Sequence, residues 1–218
     1  MNNKVELLNF MGDDLMVVNV ARVSYGKQSN EMNDKDIRLL KYLYEHKHTS
    51  PWRHPQLQFR ITCPIFVERQ LFKHQIGMSA NSISGRYVDF SDTYWEPVVL
   101  REQSKDSKQG SGNHVMREDL IHKMKDVVLY AKNTYKELID QGISKELART
   151  ILPLSLNTTF IWTGSMLSFL HLFELRLKPD AQLETRNVVY DILMAIKNTG
   201  KFDHTLDIWG HEMLDWGY

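Results

Sequence analysis

From Leu57 to Cys63 the chain alternates without a break between apolar residues (Leu57, Phe59, Ile61, Cys63) and polar ones (Gln58, Arg60, Thr62). A period of two places one set of side chains on each face of a strand, so this segment predicts a strand with one buried face. Pro64 follows at once. Proline lacks the N–H that a helix leaves unbonded in its first turn, so Pro64 is expected to open a helix over residues 65–75. A buried strand running straight into a helix demands a layered domain, with helices packed on a sheet.

The other segments fit that frame. Residues 12–23 predict a short helix with Leu15, Val18 and Ala21 on one side, and residues 35–47 a second with Ile37, Leu40 and Tyr44. Residues 84–90 predict a strand and 102–113 a loop. A long helix is expected over 114–141 with Leu120, Met124, Val127, Ala131, Tyr135 and Leu138 inward, stopped by Gly142. Ser144 caps a short helix holding Glu146 and Arg149, which Pro153 ends. Residues 156–163 alternate as another strand. Helices over 165–177 and 181–198 lead to a tail rich in tryptophan. Strands and helices without a regular βαβ rhythm predict an α+β domain spanning residues 1–218, with a mixed or antiparallel sheet flanked by helices.

Charge narrows the function. The 27 basic and 27 acidic residues cancel, which disfavours bulk binding to nucleic acid and leaves room for a local phosphate site. No apolar run is long enough to span a bilayer, and the first residues lack the apolar core of a signal peptide. One cysteine excludes an intrachain disulfide and fits the cytoplasm.

The densest polar cluster runs from Glu68 through Gln70, Lys73, His74 and Gln75 to Asn81, Ser82, Ser84, Gly85 and Arg86. On a helix Gln70, Lys73 and His74 would share a face. The turn after them offers hydroxyls, backbone N–H groups and a guanidinium, the donors a phosphate needs. A solvated helix face followed by an ordinary turn accounts for the spacing equally well.

The order of motifs goes further. Pro64-Ile-Phe-Val-Glu-Arg-Gln-Leu-Phe-Lys-His-Gln75 followed by Ser84-Gly-Arg-Tyr87 resembles the signature of the flavin-dependent thymidylate synthases. So do Met11-Gly-Asp-Asp-Leu15, Ala21-Arg-Val-Ser24, His48-Thr-Ser-Pro-Trp-Arg-His54 and Lys108-Gln-Gly-Ser-Gly112. The series continues with Glu146-Leu-Ala-Arg-Thr-Ile-Leu-Pro-Leu154, Phe173-Glu-Leu-Arg176 and Ala181-Gln-Leu-Glu184. The family hallmark is Arg-His-Arg, seven residues, then Ser, usually with Asn-Glu in the gap. Here it reads Lys73-His74-Gln75 with eight residues before Ser84, and the Asn-Glu pair is Asn81-Ser82, which removes a carboxylate. Arg53 stands where the family generally has glutamate.

The resemblance implies the thymidylate synthase-complementing-protein fold and a homotetramer whose active sites are shared between subunits. It implies dUMP as substrate, FAD as cofactor, NADPH as reductant and 5,10-methylenetetrahydrofolate as carbon donor. By motif position Ser50, Lys73, His74, Gln75, Ser82, Ser165, Leu167 and His171 would face FAD. Gln70, Lys73, Ser82, Ser84, Gly85, Arg86, Arg149 and Arg176 would face dUMP, with Arg176 catalytic.

Elementary chemistry is compatible with these roles. A nucleotide monophosphate carries about two negative charges, which guanidinium forks bind bidentately, and Arg86 and Arg149 suit that task. Arg176 shares a helix face with Ser168 and Leu172, which aims its head at a pocket, although alone it reads as a surface ion-pair residue. The histidines lack metal-ligand spacing, so no metal is expected. Cys63 reads as a buried structural thiol, and the tryptophans (52, 95, 162, 209, 216) as core or interface anchors. Two alternatives stay open: a relative on the same scaffold that hydroxymethylates or otherwise modifies a pyrimidine nucleotide, and a non-catalytic nucleotide- or RNA-binding protein.

Overall fold

The computed structural model describes residues 3–89, 93–105 and 110–214, and side chains as far as residue 210. Strand β1 (Lys4–Met11) turns at Gly12 into helix α1 (Asp14–Arg22). Asp13 caps that helix by accepting from the Met16 amide at 2.8 Å. Helix α2 (Asp34–Glu45) is capped by Asn33 and tied back to α1 by Arg22, which pairs with the fully buried Asp36. Strand β2 (Gln56–Pro64) and helix α3 (Ile65–Leu71) follow, then strand β3 (Met78–Ser82).

Strands β4 (Leu100–Gln103) and β5 (Ser111–Val115) form a separate antiparallel ribbon before the long helix α4 (Glu118–Asp140). The short helix α5 (Lys145–Ala148) leads through a 3-10 turn to strand β6 (Asn157–Ser165). Helices α6 (Met166–Arg176), α7 (Leu183–Lys197) and α8 (Asp203–Leu214) complete the described chain.

The main sheet has the order β1-β2-β6-β3, every neighbour antiparallel. The strict alternation in β2 does its work here. Phe59 and Ile61 register with Trp162 and Phe160 of β6, and all four are buried on the face covered by helices. Phe59 and Trp162 meet Phe169 of α6 edge-on, with ring centroids 5.2 and 5.7 Å apart. The other face is polar, where Gln58 donates to Thr163 at 3.0 Å and the Thr62 and Thr159 hydroxyls lie 2.8 Å apart.

Several expectations change. The helix after Pro64 stops at Leu71 rather than residue 75, so Gln70, Lys73 and His74 do not share a helix face. Phe72 packs on Phe160 at 4.9 Å, and the amides of Lys73 and His74 bond three residues back, tightening the chain into a turn. Pro64 itself is the last residue of β2 and caps α3 from outside. The strand expected over 84–90 is displaced to Met78–Ser82. Ser84 instead closes a turn, its carbonyl accepting from Tyr87 and Val88 and its hydroxyl from the Arg86 amide. Phe90 lies outside the described residues.

The expected loop over 102–113 has strand at both ends, and residues 106–109, including Lys108, lie outside the description. Helix α4 begins at Glu118, and only Val128 and Tyr135 of it are buried, while Leu120, Met124 and Val127 are exposed. The tail is helical. Phe202, Leu206 and Trp209 recur at helical spacing and enter the core, and Thr205 accepts from Trp52 Nε1 at 3.0 Å; Trp216 lies outside the described residues. Among the described residues no helix is long and apolar enough to cross a membrane.

Candidate active site

Helix α6 fixes the centre of the site from both ends. At its start Ser165 caps the helix, and the Ser168 hydroxyl donates to the Ile76 carbonyl at 3.0 Å, pinning the turn that carries Lys73, His74 and Gln75. At its end Arg176 donates from Nε to His74 Nε2 at 3.0 Å and from Nη2 to the Gln70 carbonyl at 3.4 Å. Ser168 and Leu172, on the same helix face, are buried, as the spacing predicts. A guanidinium has five N–H donors, so three remain for a ligand.

Because His74 Nε2 accepts, its proton must sit on Nδ1 and the ring is neutral. Burial, with Arg176 and then His171 adding to it, holds the His74 pKa down at about 4. His171, exposed on α6, thus joins the same cluster as His74 and Arg176.

Gln70 is fixed by α7. Its amide donates to the Gln182 side chain and accepts from the Thr185 hydroxyl at 3.1 Å. Gln182 in turn donates to Glu184 at 3.0 Å. Arg101 of β4 grips both Glu184 oxygens at 2.7 and 2.9 Å, with Glu184 only 1% exposed. One bonded network therefore joins the β4–β5 ribbon, the start of α7, α3 and Arg176. The sequence carried its signal in the Ala181-Gln-Leu-Glu184 motif, to which no role was attached, while Arg101 and Thr185 gave none.

The remaining predicted residues lie elsewhere. Ser82 ends the edge strand β3, and Ser84, Gly85 and Arg86 occupy the turn beyond it, where Arg86 stacks on and donates to its neighbour Tyr87. Arg149 stands half-buried in the turn after α5, and Lys145 Nζ lies 3.0 Å from Asp89, which brings α5 to the Ser84 turn. Ser50 is exposed at the start of a 3-10 turn. Among the described residues no hydrogen bond joins this group or Ser50 to Arg176. The side chains of Ser50, Lys73, Gln75 and Arg149 have no hydrogen-bond or ionic partner there either. Ser165 and Leu167 are buried at 6% and 5% exposure. Cys63 is fully buried, its thiol pushed up to about 12 by burial and by Glu68.

This geometry meets a family resemblance that spans most of the chain. Residues 6–199 match the model of the family described as thymidylate synthase complementing protein. The chain belongs to that family.

A relative from Thermus thermophilus named flavin-dependent thymidylate synthase is 38% identical over 193 residues, covering 88% of this chain and 71% of its own. One of the same name from Kosmotoga olearia is 36% identical over 197 residues, covering 89% and 85%. Among solved structures, a UMP/dUMP methylase, PolB from Streptomyces cacaoi bound with 5-Br dUMP, superposes with a TM-score of 0.85. It is 27% identical and covers 96% of this chain and 95% of its own. The Lys73-His74-Gln75 run has histidine at its centre, and position 82 holds serine.

The residues present fit a flavin dinucleotide. A lysine, an amide and a neutral imidazole sit on one exposed turn, and Arg149 is a half-buried cation; among the described residues neither the lysine nor Arg149 has an ionic or hydrogen-bond partner. Such cations suit a diphosphate, and such amides suit the rim of an aromatic ring system.

Proposed function

We propose that the protein is a flavin-dependent thymidylate synthase. It converts dUMP to dTMP with 5,10-methylenetetrahydrofolate as the carbon donor. When bound, FAD reduced by NADPH supplies the hydride that completes the methyl group.

The observation that carries this reading is the guanidinium of Arg176. It is held by a neutral imidazole and a backbone carbonyl, with three donors left over, in the fold of this family. Uracil C5 is a weak nucleophile. A fixed cation beside N3 and a carbonyl stabilises the negative charge that develops there as C5 attacks the methylene carbon. Gln70, locked by Gln182 and Thr185, orients the pyrimidine, and Arg86, Arg149 and Lys73 take the phosphate, with Ser84 and Gly85 supplying hydroxyl and backbone donors. Ser50, Lys73, His74, Gln75, Ser82 and His171 face the flavin. Ser165 and Leu167 shape the floor beneath, through the cap that holds Ile76. Cys63 takes no covalent part.

The reading includes a homotetramer. Among the described residues the Arg176 cluster and the Ser82–Arg86 turn are not bonded to each other, and a partner subunit would complete each site. The exposed Leu120, Met124 and Val127 of α4 border an apolar groove of 540 Å³ with Trp95 and Leu100, which suits a subunit contact. The lone buried cysteine suits a reducing, cytoplasmic setting.

A second reading concerns the acceptor. The Streptomyces cacaoi protein is a methylase of UMP as well as dUMP, and Ser82 departs from the family pattern, so the acceptor here could extend to UMP. Incubation with FAD, NADPH and carbon-13-labelled methylenetetrahydrofolate tests both readings. Labelled dTMP from dUMP supports the first, labelled methyl-UMP from UMP the second, and hydroxymethylated product or no product refutes both.

A further inference from the structure

Position 82, where the family usually carries glutamate, holds a serine, yet a carboxylate is present there. Ser82 Oγ donates to Glu68 Oε1 at 2.6 Å, reaching from the end of β3 to α3. The register explains how they meet. Ser82 pairs with the buried Phe160 of β6, so its side chain falls on the face of the sheet that α3 covers. Two residues further on the chain enters the Ser84–Arg86 turn.

Glu68 is poorly compensated for its place. It is half-buried, and among the described residues its second oxygen accepts no hydrogen bond and no cation pairs with it. Burial raises its pKa, opposed only by the Ser82 hydrogen bond. Withdrawing a carboxylate from water for one neutral hydrogen bond costs stability, and the fold does not need it, since neutral side chains would finish this sheet edge as well. Perturbed ionisable groups cluster at functional sites, and this one stands two residues from the Ser84–Arg86 turn through its Ser82 partner.

We propose that Glu68, held by Ser82, is the carboxylate that reads the pyrimidine nucleotide, its free oxygen accepting from an O–H or N–H donor of the ligand. The assignment rests on the reading above that the site takes such a nucleotide. It restores from helix α3 the negative group that strand β3 lacks. Ser82 is then a positioning residue: its one proton is engaged by Oε1, which turns Oε2 toward the ligand.

The test uses the intact, FAD-loaded protein. Binding of dUMP is measured calorimetrically for wild type, E68Q, E68A, S82A and the exchange variant E68A/S82E, alongside FAD affinity and melting temperature. E68Q keeps the shape but offers an amide where an acceptor is needed, so dUMP affinity should fall about tenfold or more, with FAD affinity and melting temperature unchanged. S82A should lose less. E68A/S82E returns a carboxylate from the strand and should recover most of the affinity that E68A loses.

Repeating the titrations with UMP, 2′,3′-dideoxy-UMP and N3-methyl-dUMP separates sugar from ring donors, because the nucleotide lacking the donor will bind wild type and E68Q alike. E68Q binding dUMP within about twofold of wild type would overturn the proposal. So would E68Q losing FAD affinity and melting temperature in step with dUMP affinity, or a folded E68A/S82E no tighter than E68A. Wild type that binds no dUMP would remove the nucleotide reading itself, a result distinct from any difference among the variants.

Discussion

The two halves of the candidate site are built differently. Around Arg176 the polar groups are bonded to one another, from Arg101 through Glu184, Gln182 and Gln70 to His74, and Glu184 and Thr185 are buried. Around Ser82–Arg86 and Arg149 the polar side chains are exposed or half-buried, and they have few partners among the described residues. The first half is held together by its own bonds, which suits the charge-stabilising role proposed for Arg176. The second resembles a binding surface, whose cations gain partners only when an anion or another subunit is present.

Variants can break this contrast. The largest expected effect is at Glu184. Replacing it with alanine leaves the half-buried Arg101 without its counter-charge, which costs about 3 kcal/mol and lowers the melting temperature by on the order of 10 °C. A thermal shift experiment checks this, and a change of only a degree or two would mean the network is ornamental. Arg149→Ala belongs to the other half. It should weaken dUMP binding about tenfold or more, with a smaller salt dependence, while leaving melting temperature unchanged.

In the first half an effect of pH is expected from His74. The His74 pKa is lowered from the ordinary 6.5 to about 4, so the unfolded chain binds this proton more readily than the folded one between those values. Stability from this group is therefore complete above pH 6.5 and is lost as pH falls toward 4. Melting curves of wild type and His74→Asn across that window should converge at the acid end. The smallest effect is expected at the only thiol. Cys63→Ala should keep dTMP formation within a few-fold, because a thiol held at about 12 supplies no thiolate near neutral pH. Loss of turnover in a folded, flavin-loaded variant would restore a cysteine route.

What the sequence disclosed followed period and punctuation. The alternation of β2 and β6, the helical spacing around Leu40 and the stop at Gly142, whose φ is +81°, all reflect local rules that the structure obeys. Arg176 entered the candidate site through the Phe173-Glu-Leu-Arg176 resemblance, because its spacing alone reads as a surface ion-pair residue. The end of α3 was not legible, because it depends on Phe72 finding Phe160 across the sheet. The exposed stripe of α4 has the same periodicity as a buried one, so spacing alone could not say what covers it. The contacts of Glu68 and Arg101 were not legible for a related reason: their partners, Ser82 and Glu184, are 14 and 83 residues away.

The most direct test is a paired measurement on Arg176→Ala: flavin binding, and dTMP formation at saturating dUMP and methylenetetrahydrofolate. Removing one donor aimed at developing charge typically costs about 2.7–4 kcal/mol, so turnover should fall roughly 10²–10³-fold while FAD affinity is retained. Arg176→Lys should recover only part, since lysine keeps the charge without the planar fork that engages His74 and the Gln70 carbonyl. Near-normal turnover in Arg176→Ala, or loss of flavin together with turnover, would contradict the account.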